Sequence, residues 1–142
     1  MPILPDRTRL RIVRDAATPI AGAQTVVSDE SSVPFGTRIL SALAKFVWVG
    51  GGTSVKVYVQ TSLDGGSTWI DIMCFAFAGT TANKASAVKT NIALAAGVTP
   101  TDGTLTDNTI LDGLIGDRIR VKYIVAGTYT GATTLSVAVA TT

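Results

Sequence analysis

The chain of 142 residues has no histidine and a single cysteine, Cys74. These absences exclude much chemistry at once. A disulfide framework needs paired cysteines, and the common zinc sites lean on imidazole. A serine or cysteine nucleophile activated by histidine cannot be assembled. Cys74 lies in the apolar run Ile72-Met73-Cys74-Phe75-Ala76-Phe77, where a buried, inert thiol is expected.

Charge is scarce as well. Asp, Glu, Lys and Arg make up 15% of the chain, against about a quarter in ordinary soluble domains. A surface so poor in charge is expected to be covered in part by other subunits; the alternative is a monomer with a coat of Thr and Ser. The net charge of +2 is too small to point to nucleic acid. No apolar run approaches the roughly 20 residues that span a bilayer, so no membrane partner is expected. The start, Met1-Pro2-Ile3-Leu4-Pro5-Asp6-Arg7, lacks the charged-then-apolar pattern of a secretion signal. Synthesis and retention in the cytoplasm are therefore expected, unless a larger assembly carries the protein out.

What the chain does contain is Val, Ile and Thr between Gly-bearing turns, the composition of short strands. Pro2 and Pro5 deny residues 1–6 regular ladder bonds. Residues 1–14 thus read as an extended arm running into a first strand, and residues 15–142 as one β-sandwich domain. The arm and first strand are expected to reach onto a neighbouring subunit, as extended segments readily add to another sheet. A weaker strand covers 18–27, and 28–37 is a polar loop. Residues 38–49 are read as a strand although 39–45 have helix-forming composition. Leu40, Ala42, Ala44, Phe46 and Trp48 alternate as in a strand, and the aromatic and β-branched run Phe46-Val47-Trp48-Val49, leading straight into Gly50-Gly51-Gly52, decides it. Trp48 and Trp69 each sit on a run that reads as core-facing.

After the Gly50-Gly51-Gly52 turn, Val55, Val57 and Val59 face one way and Lys56, Tyr58 and Gln60 the other. Strands follow at 69–78 and 85–95, then a Thr-, Asp- and Gly-rich loop at 97–116. The last two strands are 118–126, with Ile119, Val121, Tyr123 and Val125 inward, and 133–140. The sum is an all-β, antiparallel β-sandwich of about eight strands, jelly-roll-like.

The most specific local pattern is Ser62-Leu63-Asp64-Gly65-Gly66-Ser67-Thr68-Trp69, which has the form of an Asp-box. Asp64 can accept backbone N–H groups across the turn, Gly65 and Gly66 permit positive φ, and the Ser62 and Thr68 hydroxyls can brace the turn. Trp69 can fold against the strands. The motif reads as a structural hairpin staple; the competing reading is an exposed Trp69 that stacks on a sugar. One copy cannot build a sialidase-like propeller, which takes four or more blades.

The acids offer no better chemistry. Asp102, Asp107, Asp112 and Asp117 fall five residues apart, a spacing that fits no calcium loop. Asp64 and Asp71 flank one hairpin, and each has a simpler use as a turn former or a solvent-facing strand residue. No catalytic residue, metal ligand or cofactor site is expected. Two groups of cations remain: Arg7, Arg9, Arg11 and Arg14 near the start, and Arg118, Arg120 and Lys122 on one face of a later strand. They read either as solvated faces and guarded edges or as candidate interface residues for an acidic partner surface.

The run from Val57 through Gln60-Thr61-Ser62-Leu63-Asp64-Gly65-Gly66-Ser67-Thr68-Trp69 to Ile72 is followed by Phe75-Ala76-Phe77. Arg118-Ile119-Arg120-Val121-Lys122-Tyr123, Gly127-Thr128 and a Val-rich last strand complete the pattern. The combination resembles small β-sandwich structural proteins from the virion modules of tailed bacteriophages and gene transfer agents. The resemblance covers about residues 45–141. It implies a head decoration protein, the base of a head spike or fibre, or a tail or connector part. It further implies a homo-oligomer between trimer and hexamer, bound to a major capsid protein or another virion protein and located on the particle. Such proteins have no catalytic site to carry over. The competing function is a carbohydrate-binding module using Trp48, Tyr58 or Trp69 as a stacking platform.

Overall fold

The computed structural model describes residues 19–90, 92–94 and 96–142, together with the backbone pairing of Arg9–Arg14. Arg7 and the rest of residues 1–8 lie outside the described residues, as do the side chains of Arg9, Arg11 and Arg14. The elements are β1 (Arg9–Arg14), β2 (Gln24–Val27), β3 (Ser31–Ser32), β4 (Ile39–Val47), β5 (Gly50–Gly51), β6 (Ser54–Ser62), β7 (Ile70–Phe77), β8 (Ala82–Lys89), β9 (Arg118–Ala126), β10 (Tyr129–Thr130) and β11 (Thr134–Thr141). Eight of them are four residues or longer, and every pairing is antiparallel.

The long strands form two sheets, β1-β11-β4-β8 and β2-β9-β6-β7, with β3 also on β9. The connectivity follows a simple rule. First pairs with last (β1 with β11), second with second-last (β2 with β9), third with third-last (β4 with β8), and the middle two with each other (β6 with β7). The chain is therefore one long hairpin, rolled so that β4 also meets β11 and β6 meets β9. That is the jelly roll, with the two sheets enclosing a common core.

The core grows out of the alternation. Along β4, β9 and β11 every second side chain is buried and the others are partly or fully exposed. Leu40, Ala42, Ala44 and Phe46 from one sheet meet Val55, Val57, Val59, Phe75 and Phe77 from the other. Phe46 is fully buried and packs against Phe77 at 5.2 Å and edge-on to Tyr129 at 5.7 Å between ring centroids. Tertiary burial of this face overrides the helix-forming composition of residues 39–45.

The structure departs from the sequence reading at several points. Trp48 has left the strand: it is 36% exposed and its indole N–H donates to the Gly51 carbonyl at 3.0 Å. The strand expected at 85–95 is β8, which starts at Ala82 and stops at Lys89. There the Lys89 amide donates to Asp112 Oδ1 at 2.6 Å and the Thr90 amide to the Arg38 carbonyl at 3.0 Å. The polar loop 28–37 contributes the short β3. The first strand is part of this domain's own sheet, β1 being paired with β11 from Arg9↔Thr141 to Arg14↔Val137, and the arm expected before it lies outside the described residues.

The largest difference concerns β6 and β7. On the face of β6 opposite Val55, Val57 and Val59, Tyr58 and Gln60 are buried too, as is nearly the whole of β7. The loop after β8 folds back over the outer face of this sheet and lines the open edge of β7. The amides of Asp71 and Cys74 donate to Thr101 and Thr109 carbonyls, and the Leu111 amide donates to Ile72. These strands thus carry a core on one side and a covering layer on the other.

Truncating Phe46 to Ala should cost about 3–5 kcal/mol of stability, read as a lowered denaturation midpoint with an unchanged slope.

Candidate functional site

The Asp-box turn is built from its own side chains. Ser62 ends β6 fully buried; its hydroxyl donates to Asp64 Oδ1 at 2.9 Å and accepts the Gly66 amide at 2.9 Å. Asp64 Oδ1 also accepts the Thr68 amide at 2.7 Å. Gly65 and Gly66 have φ of +70° and +98°, a backbone region that side chains with a Cβ rarely enter. The hydrogen bonds of Thr68, then that of Ser62, hold the Asp64 carboxyl below its ordinary range. The rest of the protein closes on the turn from the side. Asp117 donates its amide to the Ser62 carbonyl at 2.9 Å, and a Cβ on Gly116 would collide with that same carbonyl.

Trp69 leaves the turn buried, with 8% of its surface exposed, and the Arg120 guanidinium lies 4.2 Å from its ring centroid. The ring that would stack on a sugar is occupied within the chain. Tyr58 is also buried, so Trp48, Tyr58 and Trp69 do not form a shared exposed platform.

Behind the turn lies a polar network. A bulge in β7 is its origin: the register runs Val59↔Met73 and then Gln60↔Asp71, which leaves Ile72 unpaired. The extra residue resets the alternation. Met73, Phe75 and Phe77 stay in the core, while Asp71 is placed directly opposite Gln60. Asp71 is fully buried, not a solvent-facing strand residue. Its Oδ2 accepts the Thr101 hydroxyl at 2.9 Å and the amides of Gly103, Thr104 and Leu105 at 2.8, 3.0 and 3.2 Å. Gln60 Nε2 adds a bond to Asp71 Oδ1 at 2.8 Å.

The same Gln60 nitrogen donates to Asp102 Oδ1 at 2.7 Å, and its oxygen accepts Arg120 Nε at 2.7 Å. Lys122 Nζ lies 3.0 Å from Asp102 Oδ1 and Arg120 Nη2 lies 3.5 Å from it. Gln60's hydrogen bond, followed by Lys122, holds the Asp102 carboxyl below its ordinary range. Arg118 pairs with Glu30 at 2.7 Å. The three cations of β9 are therefore matched by acids of the same chain. Nor do they guard an edge, since β9 is flanked by β2 and β6.

The remaining reactive groups are quiet. Burial pushes the Tyr58 hydroxyl up to about 12 and raises the Cys74 thiol. Among the described residues no group of three or more His, Cys, Asp or Glu is placed to hold a metal ion. Asp107 pairs with Lys56 at 3.0 Å and Asp112 caps the end of β8, so the evenly spaced acids serve different partners. Sequence reasoning missed Asp71 and Gln60, and the signal was present only as two polar residues inside strongly apolar strands. Comparison with protein-family models, curated proteins and solved structures finds no match for this chain.

Replacing Asp71 with Ala should leave three loop amides without acceptors and destabilise the fold by about 3 kcal/mol, with faster amide exchange at Gly103, Thr104 and Leu105. A pH titration followed by NMR checks the two exposed carboxylates. Their folded pKa values lie below the ordinary 3.8, so their contribution is complete above that pH. It is lost as the pH falls through the lowered values. Thr68 amide and Lys122 side-chain signals should shift in that acid range before the β4 and β11 amides change.

Proposed function

We propose that this protein is a non-enzymatic structural component of a phage-like particle. It sits on the head surface, as a decoration protein or the base of a spike or fibre, and binds the capsid lattice as a homo-oligomer. The observation that carries the reading is the outer face of the four-stranded sheet. Its central outward positions are Ser41 and Leu43 on β4, Ala85 and Ala87 on β8, and Ser136, Ala138 and Ala140 on β11, with lysines only toward the ends. Small uncharged side chains across a sheet face suit close packing against another protein surface. Charged side chains there would cost desolvation on docking.

The two ends of β4 add apolar contacts. Phe35 is fully exposed before the strand, while Val47, Trp48 and Val49 are exposed after it. The internal pairing of Arg118, Arg120 and Lys122 supports a body that presents shape rather than charge. The resemblance to virion β-sandwich proteins supplies the partner, a major capsid protein or another virion component.

Immunogold electron microscopy of purified particles from the source cells tests the proposal. Label on the head surface is expected. Label confined to the tail or connector would move the protein to that site, and its absence from purified particles would overturn the reading.

A further inference from the structure

We infer that the free edge of β8 is a self-association surface that pairs antiparallel with β8 of a second copy about a two-fold axis through Ala85. The parity of the edge follows from the ladder. The Thr90 amide donates to the Arg38 carbonyl at 3.0 Å, and the register runs Ile39↔Lys89, Leu40↔Val88 and onward to Phe46↔Ala82. Hydrogen-bonded pairs alternate along an antiparallel ladder. Val88, Ser86, Lys84 and Ala82 therefore direct their amides and carbonyls at β4, whereas Lys89, Ala87, Ala85 and Asn83 direct theirs outward. The Lys89 amide is taken by Asp112. The outward amides and carbonyls of Asn83, Ala85 and Ala87 have no partner among the described residues.

The contrast with β7 is instructive. The edge of β7 is sealed by the loop that supplies Thr101, Asn108, Thr109 and Leu111. The same loop reaches β8 at two points, Asn108 to Lys84 and Asp112 to the Lys89 amide, and between them a cleft of about 340 Å³ separates Lys84, Ala85 and Ser86 from Asn108, Thr109 and Ile110. An unsealed strand edge is a template for another strand.

A second β8 fits the template. With Ala85 opposite Ala85, Asn83 faces Ala87 in both directions, and all these outward groups are satisfied. No lysine meets a lysine, because Lys84 falls opposite Ser86 and Lys89 opposite Thr81. Lys84 is also already engaged, donating to the Ala76 carbonyl at 2.6 Å and Asn108 Oδ1 at 2.9 Å. The N-terminal segment of another copy is a poorer partner: Pro2 and Pro5 have opposite parity, so either alignment loses a donor. Pairing would join two four-stranded sheets into one continuous sheet.

The inference does not rest on the particle reading, since it concerns the isolated protein. Analytical ultracentrifugation and native mass spectrometry test it. The wild-type chain should form a dimer of its 14.7 kDa protomer. Ala85→Pro removes an amide that faces away from β4, so it should spare the fold but weaken association roughly thirtyfold. Ala85→Lys and Ala85→Glu test the register even should the proline variant misfold. The lysine variant and the glutamate variant should each be largely monomeric, and their equimolar mixture should form a heterodimer. A monomeric wild-type protein, oligomers unchanged by all three substitutions, or a mixture without preferred heterodimers would overturn the inference.

Discussion

The buried carboxylate of Asp71 is the constraint on which the second layer of this molecule depends. A charge removed from water is costly unless its oxygens are filled with donors. Here the donors are the Thr101 hydroxyl and three consecutive amides of a segment with no regular structure. The need is mutual, because those amides would otherwise be buried without an acceptor. Gln60 then relays the arrangement to Asp102 and Arg120, and Arg120 reaches the Trp69 ring. One carboxylate thus links the covering loop, the central strands and the Asp-box turn.

The jelly roll needs that arrangement because its sheets are unequal in what they show to solvent. The outer face of β1-β11-β4-β8 is left open, whereas that of β6 and β7 is roofed by loop. Tyr58 and Cys74 are packed beneath the roof rather than in the sandwich interior, opposite each other in the register. The apolar character of β7 on both sides follows from this position between two layers.

How much of this was legible in the sequence depended on distance along the chain. The bounds of β9 are those expected from the alternation of Ile119, Val121, Tyr123 and Val125, since one face is buried in a uniform core. The Asp-box turn was equally legible, because Ser62, Asp64, Gly66 and Thr68 bond one another within a few residues. The role of Asp71 was hidden twice over. Its donors lie some thirty residues away, and the bulge at Ile72 leaves no mark on composition. Trp48 misled for the opposite reason, as it continues the period of β4 after the chain has turned out toward Gly50 and Gly51. The end of β8 was set by Asp112 and Arg38, far from the alanine-rich run they interrupt.

The pairing of β1 with β11 has a mechanical consequence. Arg9 stands beside Thr141, so the first and last strands enter and leave at the same pole of the sandwich. A tensile load applied across those two points opens the ladder one rung at a time, as a zipper opens, instead of shearing many bonds together. Tethers attached at this pole would peel the outer strand away at low force. A load borne across the sheet faces would instead have to break the whole core at once.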